Sequence, residues 1–100
     1  MKRYRVRPTE SAIADADEAF HWLHLEAPEA AYTWYEGLFA AFDSLQTNPR
    51  RCSRAPEGKS QAADIRHLFY GTYRIIFQIS SDAVYIVHVR HSARRPLGNE

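Results

Sequence analysis

The sequence predicts an α+β fold, ordered β-α-α-β-β-β, with a two-helix hairpin packed on one face of a small, mainly antiparallel sheet. Three observations lead there. Two consecutive stretches space their apolar residues by three and four. Three short strand-like runs then follow one another across tight turns. The chain of 100 residues is the length of a single domain, so residues 1–100 are expected to share one modest core.

Residues 2 to 7 alternate, with Tyr4 and Val6 on one side and Arg3, Arg5 and Arg7 on the other, the mark of a strand with one wet face. Pro8 and Thr9 end it, and Thr9 can cap a following helix. Residues 10 to 26 read as that helix, its stripe formed by Ile13, Ala16, Phe20, Leu23 and Ala27. Pro28 opens a second helix. There Ala31, Trp34, Tyr35, Leu38, Ala41, Phe42 and Leu45 repeat the stripe until Asn48-Pro49. So short a link makes the two helices an antiparallel hairpin. Residues 50 to 62 are polar, aperiodic and hold Pro and Gly, so they read as a loop. The runs DIRHLF, TYRIIFQI and AVYIVHVR are strands, with turns at Gly71 and Ser81-Asp82.

Cys52 is the sole cysteine, which excludes an internal disulfide and a cysteine-rich metal site. The basic N-terminus has no apolar stretch behind it, and no run approaches the roughly 18 apolar residues of a membrane span. A cytoplasmic protein without membrane contact is expected. The net charge of +1 conceals a segregation. Residues 10 to 43 hold eight acids and no Lys or Arg, whereas residues 50 to 100 hold nine bases against four acids. An acidic element carried on a basic one suggests that the basic part meets nucleic acid, although solvated surface accounts for the same charges.

Period two puts Tyr73, Ile75, Phe77 and Ile79 on one side of their strand, and Arg74, Ile76 and Gln78 on the other. In the last strand it groups Tyr85, Val87 and Val89 against Ile86, His88 and Arg90. With the more apolar sides under the helices, Arg74, His88 and Arg90 are expected on an open face, unless the register slips by one. Arginine binds phosphate oxygens bidentately and histidine trades a proton near neutral pH, the two tasks of metal-free RNA cleavage.

The string RHLFYGTYRIIFQISSDAVYIVHVRHSARR resembles the C-terminal half of RelE/ParE superfamily toxins, in Gly71, Tyr73 and Arg74 and in the closing run from Val89 to Arg95. The front half, with Pro49 after the second helix, resembles them too. The resemblance implies a toxin of a type II toxin–antitoxin system that is neutralised by a cognate antitoxin. RelE-like members cut mRNA on the ribosome, and ParE-like members poison DNA gyrase. A ribosome-dependent mRNA endonuclease is the first expectation, a gyrase inhibitor acting by binding the second, and a non-toxic partner-binding member the third. By resemblance, Arg74 matches the phosphate-stabilising arginine, Arg66 lies near a catalytic lysine, and His91 occupies an acid or base position. Arg94 and Arg95 match the closing arginines, with Arg90 and His88 beside them. Two features depart from RelE: the only lysines are Lys2 and Lys59, and no tyrosine follows Tyr85.

Arg50, Arg51, Arg54 and Lys59 are further candidates for phosphate or nucleic-acid contact, or are plain loop surface. Trp22, Tyr32 and Phe39 fall off the main stripes; they either pack at the edges or line a groove for the antitoxin. His21 and His24 lie three apart without an evident third ligand, so no metal and no cofactor are expected.

Overall fold

The structure, a computed structural model, describes residues 2–59 and 62–93. Its elements are β1 (Arg5–Pro8), α1 (Glu10–Glu26), α2 (Pro28–Ser44), β2 (Asp64–Tyr70), β3 (Tyr73–Ser80) and β4 (Ala83–His91). Single 3-10 turns at Pro49–Arg51 and Pro56–Gly58 interrupt the loop between α2 and β2. The predicted α+β order is therefore observed. The sheet order is β1-β4-β3-β2, with β1 parallel to β4 and the other pairs antiparallel.

Local chemistry sets the boundaries. The Thr9 hydroxyl accepts from the Ala12 amide at 3.2 Å and caps α1. Pro28 stands in the first turn of α2, where a missing N–H costs no hydrogen bond. Gly71 takes a φ of +56°, the left-handed conformation that lets β2 turn into β3 in two residues. The first strand is shorter than the alternation predicts. It pairs with β4 only from Arg5 to Pro8, and Arg3 instead forms an isolated bridge with Thr47.

The core lies between the hairpin and one face of the sheet. Leu38, Phe42 and Leu45 meet Ile75, Phe77, Ile79, Val84, Ile86 and Val89 there. The deepest residues of α1 are Ala12, Ala16 and Ala19, so the buried stripe is rotated by one residue from the predicted one. Small side chains let α1 sit close against β4. Larger residues of the predicted stripe, such as Ile13, Phe20 and Leu23, are half-buried along its flank.

Tyr70 fastens β2 to α2. Its hydroxyl donates to the Trp34 carbonyl at 2.9 Å. Gly37 makes room for it, because a Cβ at Gly37 would fall well inside contact distance of that hydroxyl. Gly37→Ala should therefore destabilise the protein by about 1–3 kcal/mol, the range for overpacking a fitted contact. Combined with Tyr70→Phe, the cost should be less than the sum of the two singles, as measured by urea denaturation in a double-mutant cycle.

Candidate functional site

The second face of the sheet was expected to be open; around Arg74 it is covered, while Phe69 and Tyr85 on the same face stay exposed. Register places Arg74 opposite both Phe69 and Arg90, and His67 opposite Ile76, on this face. Ser53 to Ala55 runs along the edge of β2, where the Ala55 amide donates to the Ile65 carbonyl at 2.9 Å and the His67 amide to the Ser53 carbonyl at 3.2 Å. The turn Pro56–Gly58 then folds over the face. A Cβ at Gly58 would lie 2.7 Å from the Ile65 Cβ, so only glycine lets the turn lie this flat. Beneath the cover, Ile76 is fully buried.

This cover corrects the expectation for Arg74. Its side chain is 6% exposed, not solvent-facing. Its Nη1 donates to Glu57 Oε1 at 3.1 Å and its Nη2 to Oε2, the bidentate geometry of a paired guanidinium and carboxylate. Nη1 also lies 2.8 Å from His67 Nδ1. A guanidinium only donates, so Nδ1 accepts and carries no proton. Burial first, and the Arg74 charge second, hold the His67 pKa below its ordinary 6.5; Glu57 opposes them. Period two could not reveal this, because the carboxylate that buries Arg74 comes from an aperiodic loop.

The other two catalytic candidates lie elsewhere. Arg66 pairs with Phe77 on the helix side of the sheet, at the far end from His91. It donates to Asp64 at 2.9 Å and to the Cys52 carbonyl at 2.8 Å. His91 sits opposite Tyr73, its ring 5.3 Å from the tyrosine ring, and its Nδ1 accepts from the Ala93 amide at 3.1 Å. Two strand spacings across and four residues along separate Arg66 from His91 by roughly 16 Å. The three side chains do not converge on one phosphate.

The alternation predicted for β4 breaks at a bulge, where Ile76 faces His88 while Phe77 faces Ile86. Below it, Ile86 turns inward with Val84 and Tyr85 is exposed, the reverse of the predicted sides. The bulge brings His88 to Asp15 of α1, at 3.0 Å from Nδ1. The same carboxylate accepts from the Val89 amide at 3.0 Å, replacing the partner strand that β1 ceases to be at Pro8. His88 is thus half-exposed beside α1 and not on an open basic face.

Among the loop bases, Arg50 and Arg54 approach Asp64 at 3.5 and 3.9 Å, alongside Arg66. Three guanidinium groups share one carboxylate, leaving this end of the sheet positive. Arg51 is occupied otherwise: it donates to the Thr47 and Asn48 carbonyls and closes the end of α2. Lys59 is exposed, and Arg94 and Arg95 lie outside the described residues.

The proposed antitoxin contacts divide. Trp22 is 69% exposed and borders a small cleft with Asp15, Glu18, Tyr73 and His91. Tyr32, 59% exposed, lies over the opposite flank of α1 with Phe20 and Tyr35. Phe39 is half-buried between Tyr35 and Phe42, each ring 4.9 Å away, and serves packing. Asp17 accepts the Tyr35 hydroxyl at 2.7 Å, and this bond, ahead of burial, raises the phenol's pKa. Sequence periodicity missed that pair because it read Tyr35 as an apolar stripe residue and Asp17 lies off the α1 stripe. Burial is the main force raising the thiol pKa of Cys52, with nearby Arg51 and Arg66 opposing it.

Among the described residues, no group of three or more His, Cys, Asp or Glu could hold a metal ion, and no helix is long and apolar enough to cross a membrane.

An acidic helical hairpin on a mixed four-stranded sheet, with a basic far end, defines a small toxin-like α+β protein. The chain belongs to the family of ParE toxins of the parDE type II toxin–antitoxin system, whose model matches residues 6–96. It is a type II toxin of the RelE/ParE superfamily. The chromosomal ParDE system of P. aeruginosa contains a chain of similar fold, with TM-score 0.71 and 20% identity, covering 89% of this chain and 96% of that one. The RelBE2 toxin–antitoxin complex of Mycobacterium tuberculosis contains another, with TM-score 0.61 and 26% identity, covering 94% and 97%. No curated protein matches the sequence significantly.

Two outcomes follow from the buried pair. Glu57→Gln or Arg74→Ala should each cost about 3–5 kcal/mol, since each strands a buried charge, whereas Arg74→Met with Glu57→Leu should cost far less; chemical denaturation reads this directly. For His67, the folded pKa is depressed, so below about 6.5 the unfolded chain binds a proton that the folded one refuses. Stability should fall as pH drops from 7 toward the folded pKa, and His67→Asn, which keeps an acceptor, should flatten that slope.

Proposed function

We propose that this toxin disables its target by binding, with DNA gyrase as that target, and that a cognate antitoxin holds it in check. The supporting observation is the position of Arg74. An RNA-cleaving site needs a cation free to meet the scissile phosphate, with an acid and a base beside it. Here the matching guanidinium is enclosed with Glu57, and His91 and Arg66 lie on the opposite face of the sheet. The expectation of an mRNA endonuclease built on Arg74, His91 and Arg66 therefore gives way to the second expectation. The family match favours the same choice, since ParE-like members are the gyrase poisons of the superfamily.

A binding toxin needs surfaces, and the molecule has two of opposite sign. The cluster of Arg50, Arg54 and Arg66 around Asp64 offers positive charge to DNA held on the enzyme. The acidic hairpin would repel DNA and is left for a protein partner. An antitoxin fits that surface, and the similar P. aeruginosa and M. tuberculosis chains come from toxin–antitoxin systems.

Purified toxin added to gyrase and supercoiled plasmid should accumulate cleaved DNA and stop supercoiling, and antitoxin should reverse both effects. Arg50→Ala with Arg54→Ala should weaken the effect several-fold at low salt and by less at higher salt, because fewer phosphate contacts give a shallower salt dependence. Normal supercoiling at large toxin excess, together with messages cut in a cell-free translation reaction, would restore the nuclease reading.

A further inference from the structure

We propose that the hairpin carries a cation-binding pocket, which seats an arginine or lysine side chain from a basic segment of the antitoxin. The proposal rests on the toxin–antitoxin reading and specifies how the partner docks. The pocket has a volume of about 330 Å³ and is lined by Asp17, Phe20, His21, Tyr32 and Tyr35. Phe20 is its centre. The Tyr32 ring stands 5.1 Å away at 69°, and the Tyr35 ring 5.3 Å away at 66°. Rings set nearly at right angles form a corner, and the electron-rich face of an aromatic ring attracts a cation.

Asp17 supplies the matching charge. Its Oδ1 accepts the Tyr35 hydroxyl, which fixes the carboxylate at the pocket's edge, while Oδ2 has no hydrogen-bond partner among the described residues. A guanidinium or ammonium can donate to that oxygen while resting on the rings. One carboxylate is too few for a metal ion, and the surrounding acids repel a phosphate.

The wider charge distribution identifies the partner's chemistry. Of the eight acids between residues 10 and 43, only Asp15 has an ionic partner among the described residues, His88. Glu10, Asp17, Glu18, Glu26, Glu29, Glu36 and Asp43 have none. Among the described residues, the lysines and arginines lie on other elements and form no ion pair with these acids. Exposed Leu25 and Tyr32 add apolar area beside these acids. A segment that pairs basic with apolar side chains complements this surface, and an aromatic corner with a fixed carboxylate selects one of its cations.

The test uses the whole chain and two amphipathic peptides that are identical except for a single central arginine or its neutral isostere citrulline. The arginine peptide should shift the NMR signals of Asp17, Phe20, Tyr32 and Tyr35 and bind about tenfold more tightly than the citrulline peptide. Against the antitoxin itself, Asp17→Asn and Tyr32→Leu should each weaken binding by about tenfold. Tyr35→Phe, which keeps the ring, should change it less than about threefold. Circular dichroism verifies that each variant is folded. Equal binding of the two peptides, signal shifts confined to other surfaces, or full antitoxin affinity in Asp17→Asn would each overturn the pocket. None of these would touch the target reading, because gyrase trapping is measured without antitoxin.

Discussion

The ion pair between Arg74 and Glu57 determines what the rest of the molecule can do. A guanidinium this deep is tolerable only with a carboxylate and further acceptors around it, and both side chains here are almost wholly enclosed. Glu57 reaches Arg74 only if the Pro56–Gly58 turn lies across the sheet, and Gly58 lets the backbone come that close to Ile65. His67 then completes the set as an unprotonated acceptor. The pair also resolves a local conflict, since Arg74 and Arg90 stand directly opposite on neighbouring strands and like charges so placed repel. The pair takes the Arg74 guanidinium off the molecular surface. The toxin's surfaces are then the helical hairpin on one side and the arginine-rich end of the sheet on the other.

Those two surfaces answer the charge segregation of the sequence. Most of the acids stand on two helices whose inner side is the Ala12, Ala16 and Ala19 contact with β4 and the Leu38 and Phe42 contact with the core. Asp15 alone is drawn inward, serving as a surrogate edge partner for β4. The bases gather where β2 begins and the loop leaves α2, around Asp64. A protein with opposite potentials at two ends can meet a polyanionic target and a cationic antagonist on different faces.

Much of the fold was legible in the sequence because strong local signals agreed. Thr9 and Pro28 marked helix starts, Gly71 marked a turn, and the three late runs alternated as strands. What was not legible came from contacts between distant segments. Burial of Arg74 depends on Glu57, which lies 17 residues away in a loop without period. The sides of β4 depend on a bulge between Ile86 and His88, which no alternation rule foresees. The α1 stripe turned toward alanine because close packing on β4 favours small residues over the larger apolar ones the pattern selected. Among the site residues, Arg50 and Arg54 could be read as surface cations, but their convergence on Asp64 could not.

The central claim is that the Arg74 guanidinium is a fixed structural group. Nitrogen-detected NMR of the arginine side chains tests it most directly, since an enclosed bidentate guanidinium rotates slowly and exchanges its protons slowly. The account predicts separate, protected Nη signals for Arg74 that merge when Glu57 is replaced. A single averaged signal, exchanging as fast as that of the exposed Arg54, would contradict it.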